Sequence, residues 1–239
     1  MKKIFTMIVA LVAFASHTMA LDYEPEEGLS TQIFLGFNTS KIKNFNGYDG
    51  KVGGVAGVKF QYMLPKAHGT YINAGLDWTQ KGAKIKNIFV LDTDFKATDK
   101  YNLQYFEIPI HVGFQYNISS SLGFFGEVGP YFAVGVAGKH KFAIDGDGQG
   151  ARDQEWDYKV FKKNDKATIE NPYFQRWDAG LGFRIGAEYN QRYSLALGCD
   201  WGLTDMYRNK YRDKIADELS LNIPKIKNFN FAMTLGYRF

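Results

Sequence analysis

Cysteine is nearly absent: the chain has one, Cys199, so no intrachain disulfide can form and an exported form carries a lone thiol. Beyond the first twenty positions there is no run of 18 apolar residues, which excludes a membrane-spanning helix there. Excess charge is also missing. The formal net charge is +4, or +2 (4 − 2) without Lys2 and Lys3, too small a surplus to argue for nucleic acid. No Gly-x-Ser-x-Gly elbow, phosphate loop or His/Cys/Asp cluster at metal-ligating spacing occurs. No motif therefore points to catalysis, and no cofactor or metal is expected. Asp145-Gly146-Asp147-Gly148-Gln149-Gly150 has the look of a calcium loop, but Trp156 stands where the bidentate Glu belongs, so it reads as a Gly-rich turn.

What the chain does have is aromatic residues and glycine. Aromatics make up 16%, with 15 Tyr and 20 Phe, beside 25 Gly. Mean hydropathy is only −0.30. A β-barrel in a membrane reconciles these values, because half of each strand faces a polar interior while aromatic girdles sit at the headgroups. Lys2 and Lys3, the apolar stretch Ile4–Ala15 and the small residues of Thr18-Met19-Ala20 have the form of a secretory signal peptide over residues 1–20. That leaves residues 21–239 as one domain.

The end of the chain carries the sharpest pattern. Phe229, Phe231, Met233, Leu235, Tyr237 and Phe239 are apolar, and the residues between them are polar or small. This is period-two alternation with one greasy face. A strand closed by an aromatic terminal residue in an exported chain resembles the last strand of bacterial outer-membrane barrels, which implies an assembly signal at Phe239, Tyr237 and Leu235 read by the barrel assembly machinery. Similar segments occur at Leu29–Thr39, Gly53–Leu64, Gly69–Lys81, Asn102–Asn117, Leu122–Ala137, Phe174–Asn190 and Arg192–Thr204. The links between the eight alternate long and short, as expected for external loops and periplasmic turns. The fold class is therefore all-β: an eight-stranded antiparallel transmembrane β-barrel with long external loops, in the bacterial outer membrane. In the last loop, Asp205–Ser220 has apolar residues at Tyr207, Tyr211, Ile215 and Leu219, a spacing that predicts a short helix.

Three segments resemble the PorT-like outer-membrane β-barrel family of Bacteroidota: Asn102-Leu103-Gln104-Tyr105-Phe106-Glu107-Ile108-Pro109-Ile110, Gly126-Glu127-Val128-Gly129-Pro130-Tyr131, and Trp177 to Tyr189. The resemblance implies an accessory role in protein secretion across the outer membrane. It brings no catalytic motif.

Strand parity assigns the interior. Lys59, Asp77, Glu107, His111, Glu127, Arg176, Asp178, Arg184, Glu188, Asp200 and Arg238 point inward, and groups of opposite charge are expected to pair there. Cys199 faces lipid between Leu197 and Trp201. Pro109 and Pro130 are expected to interrupt the ladder between the fourth and fifth strands. The favoured register sets His111 opposite Glu127; the alternative sets it opposite Gly129. A small barrel fills its interior with side chains, so this set reads as a structural network. The function expected is structural or surface-binding through the external loops, without catalysis. The secretion role is the alternative, and a barrel enzyme the weaker one. Expected partners are outer-membrane lipid and lipopolysaccharide, the assembly machinery, and a secretion-system or surface partner, but no nucleic acid.

Overall fold

The computed structural model describes residues 24–44, 47, 49–89, 96–145, 154–161, 174–207 and 224–239. The expected signal peptide, nearly all of the expected helix in Asp205–Ser220 and most of the Gly-rich turn after Asp145 lie outside the described residues.

The strands are β1 (Gly28–Lys43), β2 (Asp49–Met63), β3 (Thr70–Phe89), β4 (Lys96–Asn117), β5 (Leu122–Asp145), β6 (Gln154–Lys159), β7 (Trp177–Tyr189), β8 (Tyr193–Gly202) and β9 (Lys227–Arg238). Every strand except β6 pairs antiparallel with its two neighbours around a ring, β5 passing directly to β7. The ring closes between β1 and β9, from Gln32↔Arg238 to Lys43↔Lys227. The eight-stranded barrel is closed, which leaves no exposed edge along its wall. Apolar and polar residues alternate along each strand, so one row of side chains faces outward. Leu35, Phe106, Phe132, Leu181, Leu195 and Leu235 are among the exposed large residues of that row.

Three features differ from the sequence reading. First, β3, β4 and β5 have 20, 22 and 24 residues, about twice the 9–11 that cross a bilayer. Their outer halves continue as a sheet, and β1 and β2 also run past their expected ends, so the first two expected long loops shrink to the short links after Lys43 and Phe89. Second, β6 lies in the third loop and pairs only with the outer part of β5, from Lys139↔Lys159 to Ile144↔Gln154. Third, β7 begins at Trp177, while Phe174 forms an isolated bridge with Tyr207.

The turn between β7 and β8 is tight. Asn190 and Gln191 both have positive φ, 51° and 54°, and Arg192 N donates to Tyr189 O at 3.1 Å. Positive φ at both central residues is the type I′ arrangement that matches strand twist.

The β4–β5 register also corrects the sequence reading. Pro109 pairs with Tyr131, Val112 with Val128 and Gly113 with Glu127. That is the alternative register, with Glu127 opposite Gly113 rather than His111. The ladder pauses at Ile110 and His111, beside Pro130, and resumes in the same register. No bulge forms at the prolines. The register shift lies between Gln104 and Tyr105 instead.

Candidate functional site: the filled lumen

The inward residues form three polar tiers under an apolar lid. The lowest tier joins Arg238 to Glu188 at 2.6 Å. Gln115 donates to Glu188 at 3.1 Å and Arg238 to Gln61 at 3.3 Å.

The middle tier centres on Glu127. Its carboxylate accepts from Tyr71 at 2.9 Å and Asn73 at 2.8 Å, and lies 3.3 Å from both Lys59 and His111. His111 reaches Glu127 diagonally, although their backbones are not opposite; such diagonal neighbours are within side-chain reach on one face. Gly113 makes room for this tier, because a Cβ there would run into the ring of Tyr71. Alongside, Arg184 pairs with Asp200 at 2.9 Å, Asn230 donates to Asp200 at 3.1 Å, and Asn38 donates to Asn230 at 2.6 Å.

The upper tier centres on a residue the parity reading did not name. Lys81 is fully buried, with its Nζ 2.5 Å from Glu107 and 3.8 Å from Asp178. It also lies 4.7 Å from the centre of the Tyr131 ring. Asp178 further accepts from Thr204 at 2.5 Å, Asn228 at 2.8 Å and Tyr131 at 3.3 Å. Lys81 ends the strand segment read from sequence, but it shares the inward parity of Asp77 and Thr79, and that was the signal for it.

Two expected members behave differently. Arg176 is not in the lumen. It is exposed, precedes the first residue of β7, donates to Gly135 O at 3.3 Å and lies over the Phe161 ring. Strand parity does not extend to a residue outside the strand. Asp77 is buried as expected but has no opposite charge within ion-pair distance among the described residues. It sits directly across from Glu107, and its Oδ1 has no hydrogen-bond partner among the described residues. That oxygen and the unpartnered Nε2 of His111 line a cavity of about 40 Å³ with Lys59, Glu127, Arg184 and Asp200, a polar space of a size that takes water.

Above the tiers, Ile42, Leu103, Tyr105, Phe161, Phe174 and Ile226 belong to one buried apolar cluster at the outer mouth. Phe161 and Phe174 come from the third loop. Burial among these groups pushes the Tyr207 phenol at its edge up to about 12. Further out, His140 Nε2 lies 2.5 Å from Asp99 and its ring stacks on Tyr101 at 4.3 Å.

The His111–Glu127 pair is thus enclosed between the Arg238–Glu188 tier and the apolar lid. Both side chains are almost fully buried.

A closed ring of strands, an apolar outer face and a polar filled interior are the parts of a membrane barrel. A family model described as "Outer membrane protein beta-barrel domain" matches residues 16–208. The chain belongs to this outer-membrane β-barrel family. It is an outer-membrane protein, and the match is to the broad family, not to a PorT-like branch or a bacterial phylum. Among solved structures this barrel is similar to Ail, the attachment invasion locus protein of Yersinia pestis, at 15% identity and TM-score 0.38, covering 90% of this chain and 100% of that one. It is also similar to Neisserial surface protein A, at 12% identity and TM-score 0.40, covering 90% and 100%. The outer membrane protein OprG from Pseudomonas aeruginosa matches at 12% identity and TM-score 0.39, covering 91% and 99%. No curated protein matches.

Proposed function

We propose that this barrel is a closed membrane anchor whose working part is the β-sheet raised above the outer leaflet. The observation that carries the reading is the outward continuation of β3, β4 and β5, with β6 added to β5 and the apolar lid fastened beneath. A membrane span needs neither the extra strand length nor a packed lid. Rigid elements hold a binding surface better than a loose loop. No catalytic role is proposed.

The test replaces the segment between Ile144 and Trp177 by a short turn in the native host. The variant should still assemble, give a heat-modifiable gel shift, and lose adhesion of cells to host or matrix proteins. Unchanged adhesion removes the surface-binding role. A defect in secreted proteins with adhesion intact favours the secretion role instead. We also propose that Leu235, Tyr237 and Phe239 form the assembly signal. A chain ending at Arg238 should give less assembled barrel, and equal yield removes that role.

A further inference from the structure

The outward row of β1 changes character near the outer end. Apolar side chains give way to charge: Ile33, Leu35 and Phe37 lie below, and Lys41 and Lys43, both exposed, lie above them. On β9 the outward row runs Leu235, Met233, Phe231, Phe229 and then Lys227, with exposed Lys225 just beyond. The two strands are neighbours. Lys41 pairs with Phe229, and Lys43 pairs directly with Lys227. Asn44 donates to Lys225 O at 2.9 Å, which ties the fourth lysine to the same patch. Beneath them, Trp201 pairs with Phe229, their rings 5.9 Å apart, and Lys43 lies over the Phe229 ring at 4.9 Å.

Like charges directly opposite on one face of a sheet are unfavourable. Among the described residues, no acidic side chain forms an ion pair with any of these four lysines. A second basic row, running from β3 to β5, is compensated: Lys84, Lys100 and Lys141 are paired in register, but Asp49 and Asp157 close its two ends. The β1–β9 patch has no such closure among the described residues. It stands where the lipid-facing belt and its aromatic girdle end, the height of lipid headgroups. Clusters of Lys beside a membrane segment bind anionic lipid heads.

We propose that Lys41, Lys43, Lys225 and Lys227 form a binding site for the phosphate groups of an outer-leaflet lipid whose acyl chains lie against Phe229, Phe231 and Trp201. The anion sits between the opposed lysines and offsets their repulsion.

The test uses the full protein in non-ionic detergent, with phosphorylated lipid A and the same lipid A stripped of phosphate, retained lipid being counted by native mass spectrometry. The wild type should retain phosphorylated lipid A on the order of tenfold or more tightly than the stripped form, at a few-fold per lysine. The combined variant Lys41→Gln, Lys43→Gln, Lys225→Gln, Lys227→Gln should lose that preference while keeping its heat-modifiable gel shift. Lys66→Gln, in a periplasmic turn, should keep it. Equal retention of the two lipids by the wild type, or an unchanged preference in the combined variant, overturns the site. Displacement of the lipid by low-millimolar inorganic phosphate also overturns it, because the anion would then be free phosphate.

Discussion

Glu127 shows what a single residue does in this interior. One carboxylate accepts from Tyr71 and Asn73 and lies beside the Lys59 ammonium and the His111 ring. Removing it leaves Lys59 without its counter-charge, and Tyr71 and Asn73 without their acceptor, in a buried place, the case in which breaking an ion pair costs about 3–5 kcal/mol. Glu127→Ala should lower the unfolding midpoint in detergent by a matching amount, read from heat-modifiable gel migration against urea. A loss under about 1 kcal/mol would mean that solvent reaches the group. Cys199 is the opposite case. It is partly exposed on the outward face, across from Phe231. Polar maleimides should label it slowly in intact membranes and quickly after unfolding, and fast labelling of the native protein would put β8 in the other register. At this scale the sequence was readable wherever parity held. Asp77, Glu107, Asp178 and Asp200 are all buried as parity requires. The partners were harder to see, because Tyr71, Asn73 and Asn228 carry no charge to draw attention, and because Asp77 against Glu107 is a pairing that charge balance argues against.

The strands were legible where they cross lipid and illegible above it. In the bilayer every second residue must be apolar, and that writes period two into the sequence. Above the bilayer the requirement lapses. In β3 beyond Lys81 and β5 beyond Ala137, Lys84, Lys139 and Lys141 take outward positions while the backbone ladder continues, so the same element reads as loop. The β4–β5 register illustrates the other limit. A charge pair argued for His111 opposite Glu127, yet side-chain length lets the pair form diagonally and the ladder settles elsewhere. Turns follow local rules more closely. Asn190 and Gln191 occupy the left-handed region, where a non-glycine side chain costs about 1–2 kcal/mol unless it is Asn-like. Gln191→Gly should therefore raise stability by up to about 1 kcal/mol, measured in the same urea series. A fall would show that the Gln191 side chain makes a contact worth more than the strain.

Whether the whole molecule conducts depends on how many separate closures its interior has. A pore would have to pass the Arg238–Glu188 tier, the crowded tier around Glu127 and Asp200, the buried Lys81 with its two carboxylates, and the apolar lid. Their causes differ: the tiers are held by charge and the lid by packing, so no single change opens all of them. Phe161→Ala should cost about 3–5 kcal/mol, because its ring packs edge-on to Tyr105 at 5.8 Å and fills the space over Gly135 and Gly138. It leaves the three polar tiers in place. In planar bilayers neither the wild type nor Phe161→Ala should give stable channels of porin size. Steady large conductance in the wild type would mean that the tiers part in a membrane. Conductance only in Phe161→Ala would mean that the lid, and not the charge network, is the seal. The charge network is the better candidate for the seal, since moving an ion past it means breaking buried ion pairs and hydrogen bonds, whereas the lid is held by apolar packing alone.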